Sequence, residues 1–443
     1  MKLGELKKFK KNLQGKLYFF VYFLCSKLSR PKTKFVMQMI QGIIKSQSCI
    51  LRKVAKSLDE KITVKKTSER LRNHLSMDGL HQEISRRILK KSARRIDINT
   101  IIVMDDSDMI KNEAKKMEGL SKVPDGSKNH KRGMGYKLIN VAAVNSHGEN
   151  EVEIIPLQSE LYSNKIEMDS CKNILFDQIN DILVSTKGQG IFTCDRYYDD
   201  KKIFKELAEN DADFIIRAKN NRYLIYQGNL LHFKALVKSV KLTEKVKAGR
   251  ETEIEVGAVR VEIPIDPHPR KNPQTVHAWL IVGRYTKKPK TRRGREVSSL
   301  DKGGYFYLYV SIRHLNNDKE AVIFKGLKGY RLRWKIEEFH RQVKQDFGWE
   351  DMQLMDYTRL KNMNALLLAA VWFVYQLYRM RLTLYKIFPS IMSDRKRDID
   401  KLVFIYYRIT EVVNYIFNSW KLMIRKKYKG QYAEYLQIRL KFK

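Results

Sequence analysis

The chain has 443 residues, with 87 Lys plus Arg against 49 Asp plus Glu, a formal net charge of +38 and a pI near 9.9. That length permits two to four domains with sizeable cores, and the charge favours a polyanionic partner while saying nothing about sequence specificity. Four cysteines (Cys25, Cys49, Cys171, Cys194) without paired spacing argue against a disulfide scaffold and for a reducing cytoplasm.

Residues 1 to 95 predict helices with basic and apolar residues interleaved, punctuated at Ser29-Arg30-Pro31 and Ser76-Met77-Asp78-Gly79. The apolar run LYFFVYFLC is too short to span a bilayer, and the basic stretch before it, without a small-residue cleavage site, is unlike a signal peptide. Within this region SCILRKVAKSLDEKITVKKTSERLRNHL predicts a compact helix pair suited to DNA-end recognition, or else a helical scaffold packed on the rest of the chain.

The first acidic motif is IIVMDDSDMIK, residues 101 to 111. A β-branched apolar run ending in acids predicts a buried strand that delivers carboxylates to a sheet edge, where sites in α/β folds lie. Alternation puts Ile102, Met104 and Asp106 on one face and Val103 and Asp105 on the other, leaving Asp105 and Asp108 open beside Asp106. Residues 190 to 222 carry the second motif: a short strand to Asp195, a helix from about Asp200 to Ala208 capped by Asp199 or Asp200, and a strand from Phe214 to Arg217. Asp195 directly follows its strand, so it is the acid expected to face a site, and Cys194 beside it is expected to be buried. Arg217, ending the second strand, is a candidate DNA contact.

The interval from Asp195 to Glu337 is too long for a simple connection. Its runs TEIEVGAVRVEIPI, VHAWLIVGRY and GYFYLYVSI predict strands, and Trp279 among apolar neighbours is expected in the core. The loop Lys287 to Arg295, with Lys287, Arg292 and Arg293, has no apolar anchor and is expected to face DNA.

The third motif, YRLRWKIEEFHRQVK, places Tyr330, Arg333, Glu337, Arg341 and Lys344 within roughly 80° on one face of a continuous helix. Leu332, Ile336, Phe339 and Val343 make the opposite, apolar stripe. Glu337 is the acid amid the cations, while Glu338 falls about 100° away. A surface helix with i,i+4 ion pairs is the alternative. A carboxylate that holds a cation among donors that hold phosphates suits metal-dependent chemistry on a nucleic-acid backbone. The run from Ala365, ALLLAAVWFVYQLY, predicts a buried core helix. The basic tail from Asp394 predicts further helix, with Phe404, Tyr406, Tyr407, Tyr415, Phe417 and Trp420 as core or dimer contacts.

These motifs together resemble the DDE transposases of bacterial cut-and-paste insertion sequences, in the family-four group with a Tyr-Arg-Glu-Lys signature. The likeness rests on Asp105-Asp106-Ser107, Cys194-Asp195-Arg196 and the Tyr330 to Lys344 helix, in the family's order, and covers about residues 100 to 380. It implies an α/β fold with an RNase H-like catalytic core, an inserted β-rich domain, and helical N- and C-terminal regions. The expected division is 1–95 (basic, helical, DNA-end binding), 96–222 (first part of the core), 223–318 (β insertion), 319–380 (second part of the core) and 381–443 (helical, basic, a candidate dimer contact). By the resemblance Asp106, Asp195 and Glu337 would bind two Mg²⁺ (or Mn²⁺) ions. Tyr330, Arg333 and Lys344 would contact phosphates, with Arg341 as a second basic contact. Phe306 or Tyr307 would stack on a flipped base. The implied partners are double-stranded DNA, both terminal inverted repeats and target, and a second copy of the chain. The implied place is the bacterial cytoplasm at the nucleoid, with no membrane. The implied function is metal-dependent excision and strand transfer. The alternatives are a non-catalytic DNA-binding relative acting as repressor or scaffold, and a nuclease without strand joining.

Overall fold

The computed structural model describes residues 3–125, 131–148, 151–168, 170–247, 253–266, 274–286, 304–392 and 404–427. The chain opens with α1 (Leu3–Leu24), α2 (Arg30–Ser46), α3 (Leu51–Leu58), α4 (Val64–His74) and α5 (Leu80–Ala93). Strands β1 (Ile101–Ile110), β2 (Ser121–Asp125), β3 (Lys131–Ser146) and β4 (Val152–Tyr162) follow. Then come α6 (Cys171–Thr186), β5 (Ile191–Cys194), α7 (Lys201–Glu209), β6 (Asp213–Arg217), β7 (Tyr223–Tyr226), β8 (Asn229–His232), α8 (Phe233–Ser239) and β9 (Glu244–Lys247). The long strands β10 (Glu253–Pro264), β11 (Thr275–Tyr285) and β12 (Tyr305–Ser311) lead to α9 (Lys319–Leu332), α10 (Trp334–Phe347), α11 (Tyr357–Gln376), α12 (Arg381–Ile387), α13 (Pro389–Met392) and α14 (Tyr406–Lys427). Among the described residues no helix is long and apolar enough to cross a membrane.

The chain divides into two compact units, Met1–Arg94 with Asp106–Ile174 and Glu337–Lys443, and Arg95–Asp105 with Leu175–Ile336. In the first, β3 pairs antiparallel with β2 (Ser121 opposite Gly135) and with β4 (Lys137 opposite Tyr162). Helix α11 is apolar on all sides, and every residue from Asn362 to Tyr375 is buried, as such a helix requires. Its polar atoms are paired: Trp372 Nε1 donates to Ser92 Oγ at 2.7 Å, and Asn364 Oδ1 accepts from Trp349 Nε1 at 2.9 Å. The tail aromatics divide. Tyr406 and Phe417 are buried, Tyr406 stacking on Tyr375 at 3.9 Å, while Tyr415 is exposed. The side chain of Trp420 lies outside the described residues.

In the second unit β1, β5 and β6 are parallel neighbours, in register from Ile101 opposite Ile191 to Val103 opposite Thr193 and from Ile191 opposite Asp213 onward. Strand β12 pairs antiparallel with β6, and β11, β10 and β7 extend the sheet from there. The described strands of 223–318 pair into the same sheet as β5 and β6. Trp279 is in its core as expected, with Nε1 donating to the Asn316 carbonyl at 3.1 Å. Helix α9 lies close on this sheet because Gly329 has no side chain: a Cβ there would stand 2.5 Å from Ile215 Cδ1.

Candidate active site

Strand β1 begins with Ile101 to Met104, all buried, and becomes half-buried at Asp105 through Asp108. The strand does not stop at the acids, as its composition suggests it should, but continues to Ile110. Its second half is supported in the first unit by β3: Lys111 N–H donates to the Met134 carbonyl at 2.7 Å, and Gly135 lies so close that a Cβ would meet the Met109 carbonyl at 2.1 Å. The two central acids meet different cations, as pleat alternation demands. In the second unit Asp105 Oδ2 stands 4.0 Å from Arg333 Nη1. In the first, Asp106 Oδ2 stands 3.6 Å from Lys137 Nζ, with both side chains about a quarter exposed. Asp106 also faces Cys171, whose thiol is pushed up by burial first and by the Asp106 charge second, with Lys137 opposing.

Asp195 follows β5 immediately and caps a short 3₁₀ turn, Arg196–Tyr198, its Oδ1 accepting from Tyr197 N–H at 2.7 Å. One carboxylate oxygen is thus committed to the backbone. Because Val103 is level with Thr193, continuing that register brings Asp105 level with Asp195 in the same unit. Asp200 is the N-cap of α7, accepting from Lys202 N–H at 3.0 Å. Asp199 is instead buried in a polar node, taking the Lys219 N–H and the Arg222 guanidinium. Cys194 is buried.

The third motif is not one uninterrupted helix. Helix α9 ends at Leu332, Arg333 is its C-cap, and α10 starts at Trp334. Arg333 N–H bonds back to Tyr330 at 3.2 Å and its carbonyl accepts from Ile336 at 3.1 Å, both at three-residue spacing, so the junction is overwound. A single 100° wheel from Tyr330 to Lys344 is therefore corrected: the shared face holds within α10, for Glu337, Arg341 and Lys344. The apolar stripe holds throughout, with Leu332, Ile336, Phe339 and Val343 all buried. Glu337 and Glu338 are both half-buried, but Glu338 is turned toward α14. Tyr407, pushed up by burial and then by Asp346, feels Glu338 as a further raising charge, with Arg341 opposing.

The candidate phosphate contacts differ in their surroundings. Arg341 is exposed. Lys344 Nζ donates to the Asp108 carbonyl and pairs with Glu350 Oε1, each at 3.0 Å, tying α10 to the end of β1. The Arg333 guanidinium lies 5.7 Å from the Tyr330 ring centre. Tyr330 and Arg217 both act on Tyr285, whose phenol is raised by burial first, lowered by Arg217 and raised by Tyr330. Arg217 is only 9% exposed and lies close enough to Tyr285 for its charge to lower that phenol. Phe306 and Tyr307 are also core side chains. Phe306 closes over Gly283 and packs on Tyr285 at 5.4 Å, and Tyr307 packs edge-on against Phe233 at 5.0 Å. Lys287, Arg292 and Arg293 lie outside the described residues. Sequence reasoning missed Lys137 and Tyr285. Nothing in the sequence signals that the Lys137 ammonium meets Asp106.

Among the described residues no group of three or more His, Cys, Asp or Glu side chains is gathered tightly enough to hold a metal ion. The donors are nonetheless of the type a hard divalent cation takes, carboxylate oxygens, and Asp106 already has a cation beside it. Residues 99–373, well over half of the chain, match the family model described as the transposase DDE domain. No curated protein sequence matches the chain.

Proposed function

The chain belongs to the transposase DDE family, and from that premise we propose that it excises a transposable element and joins its ends to target DNA, as a member of the Tyr-Arg-Glu-Lys group. Its fold is mixed α/β, as the RNase H-like class of that family has in general, and its activity is of the nuclease and transferase type. We assign Asp106, Asp195 and Glu337 to hold divalent magnesium. When bound, the ion supplies activation of water or of a 3′ hydroxyl and charge neutralisation at phosphorus. Tyr330, Arg333, Arg341 and Lys344 align phosphates by hydrogen bonds and charge. The DNA is the element's terminal repeats and the target, held by two copies of the chain.

The observation that carries this reading is the order and setting of the three acids. One follows a buried apolar run on β1, one follows the neighbouring parallel strand β5, and one lies early in a helix with a buried apolar stripe. A second reading of the first acid is favoured by one observation: Asp105, not Asp106, stands beside Arg333 and continues the register toward Asp195.

The test is single-turnover cleavage of a terminal-repeat duplex. Asp195→Asn and Glu337→Gln are expected to lose at least ~100-fold in rate, since several kcal/mol of charge stabilisation goes with the metal. Glu338→Gln should stay within about tenfold of wild type. Between Asp105→Asn and Asp106→Asn, the variant with the larger loss identifies the metal acid. Cleavage undiminished in both of them, or in Glu337→Gln, would overturn the assignment.

A further inference from the structure

Asp195 is the N-cap of the 3₁₀ turn Arg196–Tyr198 and Asp199 is its C-cap, so one short turn joins two carboxylates with opposite surroundings. Asp195 is half-buried, whereas the Asp199 side chain is 0% exposed. A carboxylate buried that completely needs partners for its charge and its lone pairs. Asp199 finds them all in residues 218–222, the segment that follows β6. Its Oδ2 accepts the Lys219 N–H at 2.5 Å, its Oδ1 accepts from the Arg222 guanidinium, and its backbone carbonyl accepts from Lys219 Nζ at 2.9 Å.

Arg222 is itself held. Its guanidinium lies 5.2 Å from the Phe204 ring centre, and its backbone carbonyl accepts from Phe233 N–H at 2.8 Å. Phe204 packs edge-on against Tyr309 at 5.7 Å, and the Tyr309 phenol is raised by burial first and then by the Asp199 charge, with Arg222 opposing. The node therefore rests on α7, α8 and β12, all within the second unit. An ion pair this deep is not required for stability, since apolar side chains of similar volume often serve as well. What it supplies is fixed geometry, because charged hydrogen bonds are short and directional. Asp195 depends on such a hold: the bond it accepts from Tyr197 N–H lies inside the same turn and ties the turn to nothing else. Strand β5 fixes where the turn begins, with Cys194 opposite Ile216, and the Asp199 node fixes where it ends.

We propose that Asp199 and Arg222 are positioning residues for Asp195, setting the metal affinity of its carboxylate without touching the ion. Magnesium demands near-ideal octahedral geometry, so a ligand that can wander binds it weakly. Groups that orient a ligand from behind commonly change affinity by about 10–100-fold. The inference rests on the reading of Asp195 as a metal acid.

The experiment is Mn²⁺ titration of the full chain followed by electron paramagnetic resonance, with thermal melts by circular dichroism on the same samples. Asp199→Asn keeps the shape of the side chain and removes its charge, and Arg222→Gln removes the partner. Each is expected to weaken Mn²⁺ binding by about ten- to a hundredfold while the chain stays folded at the titration temperature. Arg222→Lys, which keeps a cation beside Asp199, should recover part of the loss. The double variant Asp199→Asn with Arg222→Gln leaves no unpaired buried charge, so it serves where a single variant does not fold, and it should show the same weakening because both residues act through one link. Asp195→Asn is the reference and should lose this binding. Wild-type Mn²⁺ affinity in the folded single and double variants, with binding lost in Asp195→Asn, overturns the proposal and leaves the reading of Asp195 in place. Failure of every node variant to fold would assign the node to the core alone and overturn it as well. Mn²⁺ binding by Asp195→Asn equal to that of wild type would remove the metal reading of Asp195, and the proposal with it.

Discussion

Lys137 places an ammonium 3.6 Å from Asp106, where a metal would bring its own charge. If Asp106 is a metal ligand, this lysine competes with the ion. A partly exposed pair of this kind contributes on the order of 0.2–1 kcal/mol. Lys137→Ala is thus expected to tighten Mn²⁺ binding by up to about fivefold, read by Mn²⁺ titration followed by electron paramagnetic resonance. Unchanged or weaker Mn²⁺ binding would mean that the lysine only supports the strand. Lys10 is the other informative single residue. It is buried in α1, and burial first, with Lys45 second, lowers its ammonium to about 7. Between that value and the ordinary 10.5 the unfolded chain binds the extra proton, so the penalty is complete at and below pH 7 and fades as pH rises toward 10.5. Lys10→Met should accordingly raise the melting temperature at pH 7, with the gap to wild type narrowing by pH 10. A gap independent of pH would contradict the buried-charge account.

At the scale of elements, close backbone approach supports the strand that carries the acids. Gly135 faces the Met109 carbonyl, a backbone atom that cannot rotate away, whereas Gly15 in α1 has nothing within 4 Å of its would-be Cβ. Gly135→Ala is therefore expected to destabilise by about 1–3 kcal/mol or more through forced separation of β3 from β1. Gly15→Ala should be neutral or stabilising by up to about 1 kcal/mol, and paired thermal melts would distinguish the two. What the sequence made legible were features of local period and capping. The strands before Asp195 and through Arg217, the α7 cap at Asp200, the helical character of residues 1 to 95 and the buried run of α11 follow from apolar spacing and turn residues alone. The overwound junction at Arg333 was hidden because every residue around it is an acceptable helix former, so only tertiary fit sets the break. Strand β1 ran past its acids for a similar reason: Asp and Ser seldom extend a strand, but pairing to β3 holds them in one. Burial of Phe306 and Tyr307 was equally hidden, since alternation in YFYLYVSI fixes which residues share a face but not whether both faces are covered, and β12 is covered on both.

For the whole molecule, a net charge of +38 makes DNA affinity steeply salt-dependent, with log affinity falling by about 0.9 per phosphate neutralised for each unit of log salt. That slope reports the polyanion contact and not the chemistry. The chemistry separates transposition from repression and from simple hydrolysis, since all three require the same DNA binding. The most direct measurement is strand transfer with purified full-length protein, a pre-cut terminal-repeat duplex bearing a free 3′ hydroxyl, and supercoiled plasmid as target. In Mg²⁺ the wild-type chain should join the labelled end to the plasmid, and the Asp195→Asn and Glu337→Gln variants should bind the duplex with unchanged affinity and join none of it. Joining that persists in these variants, or binding by the wild type with neither cleavage nor joining, would contradict the account.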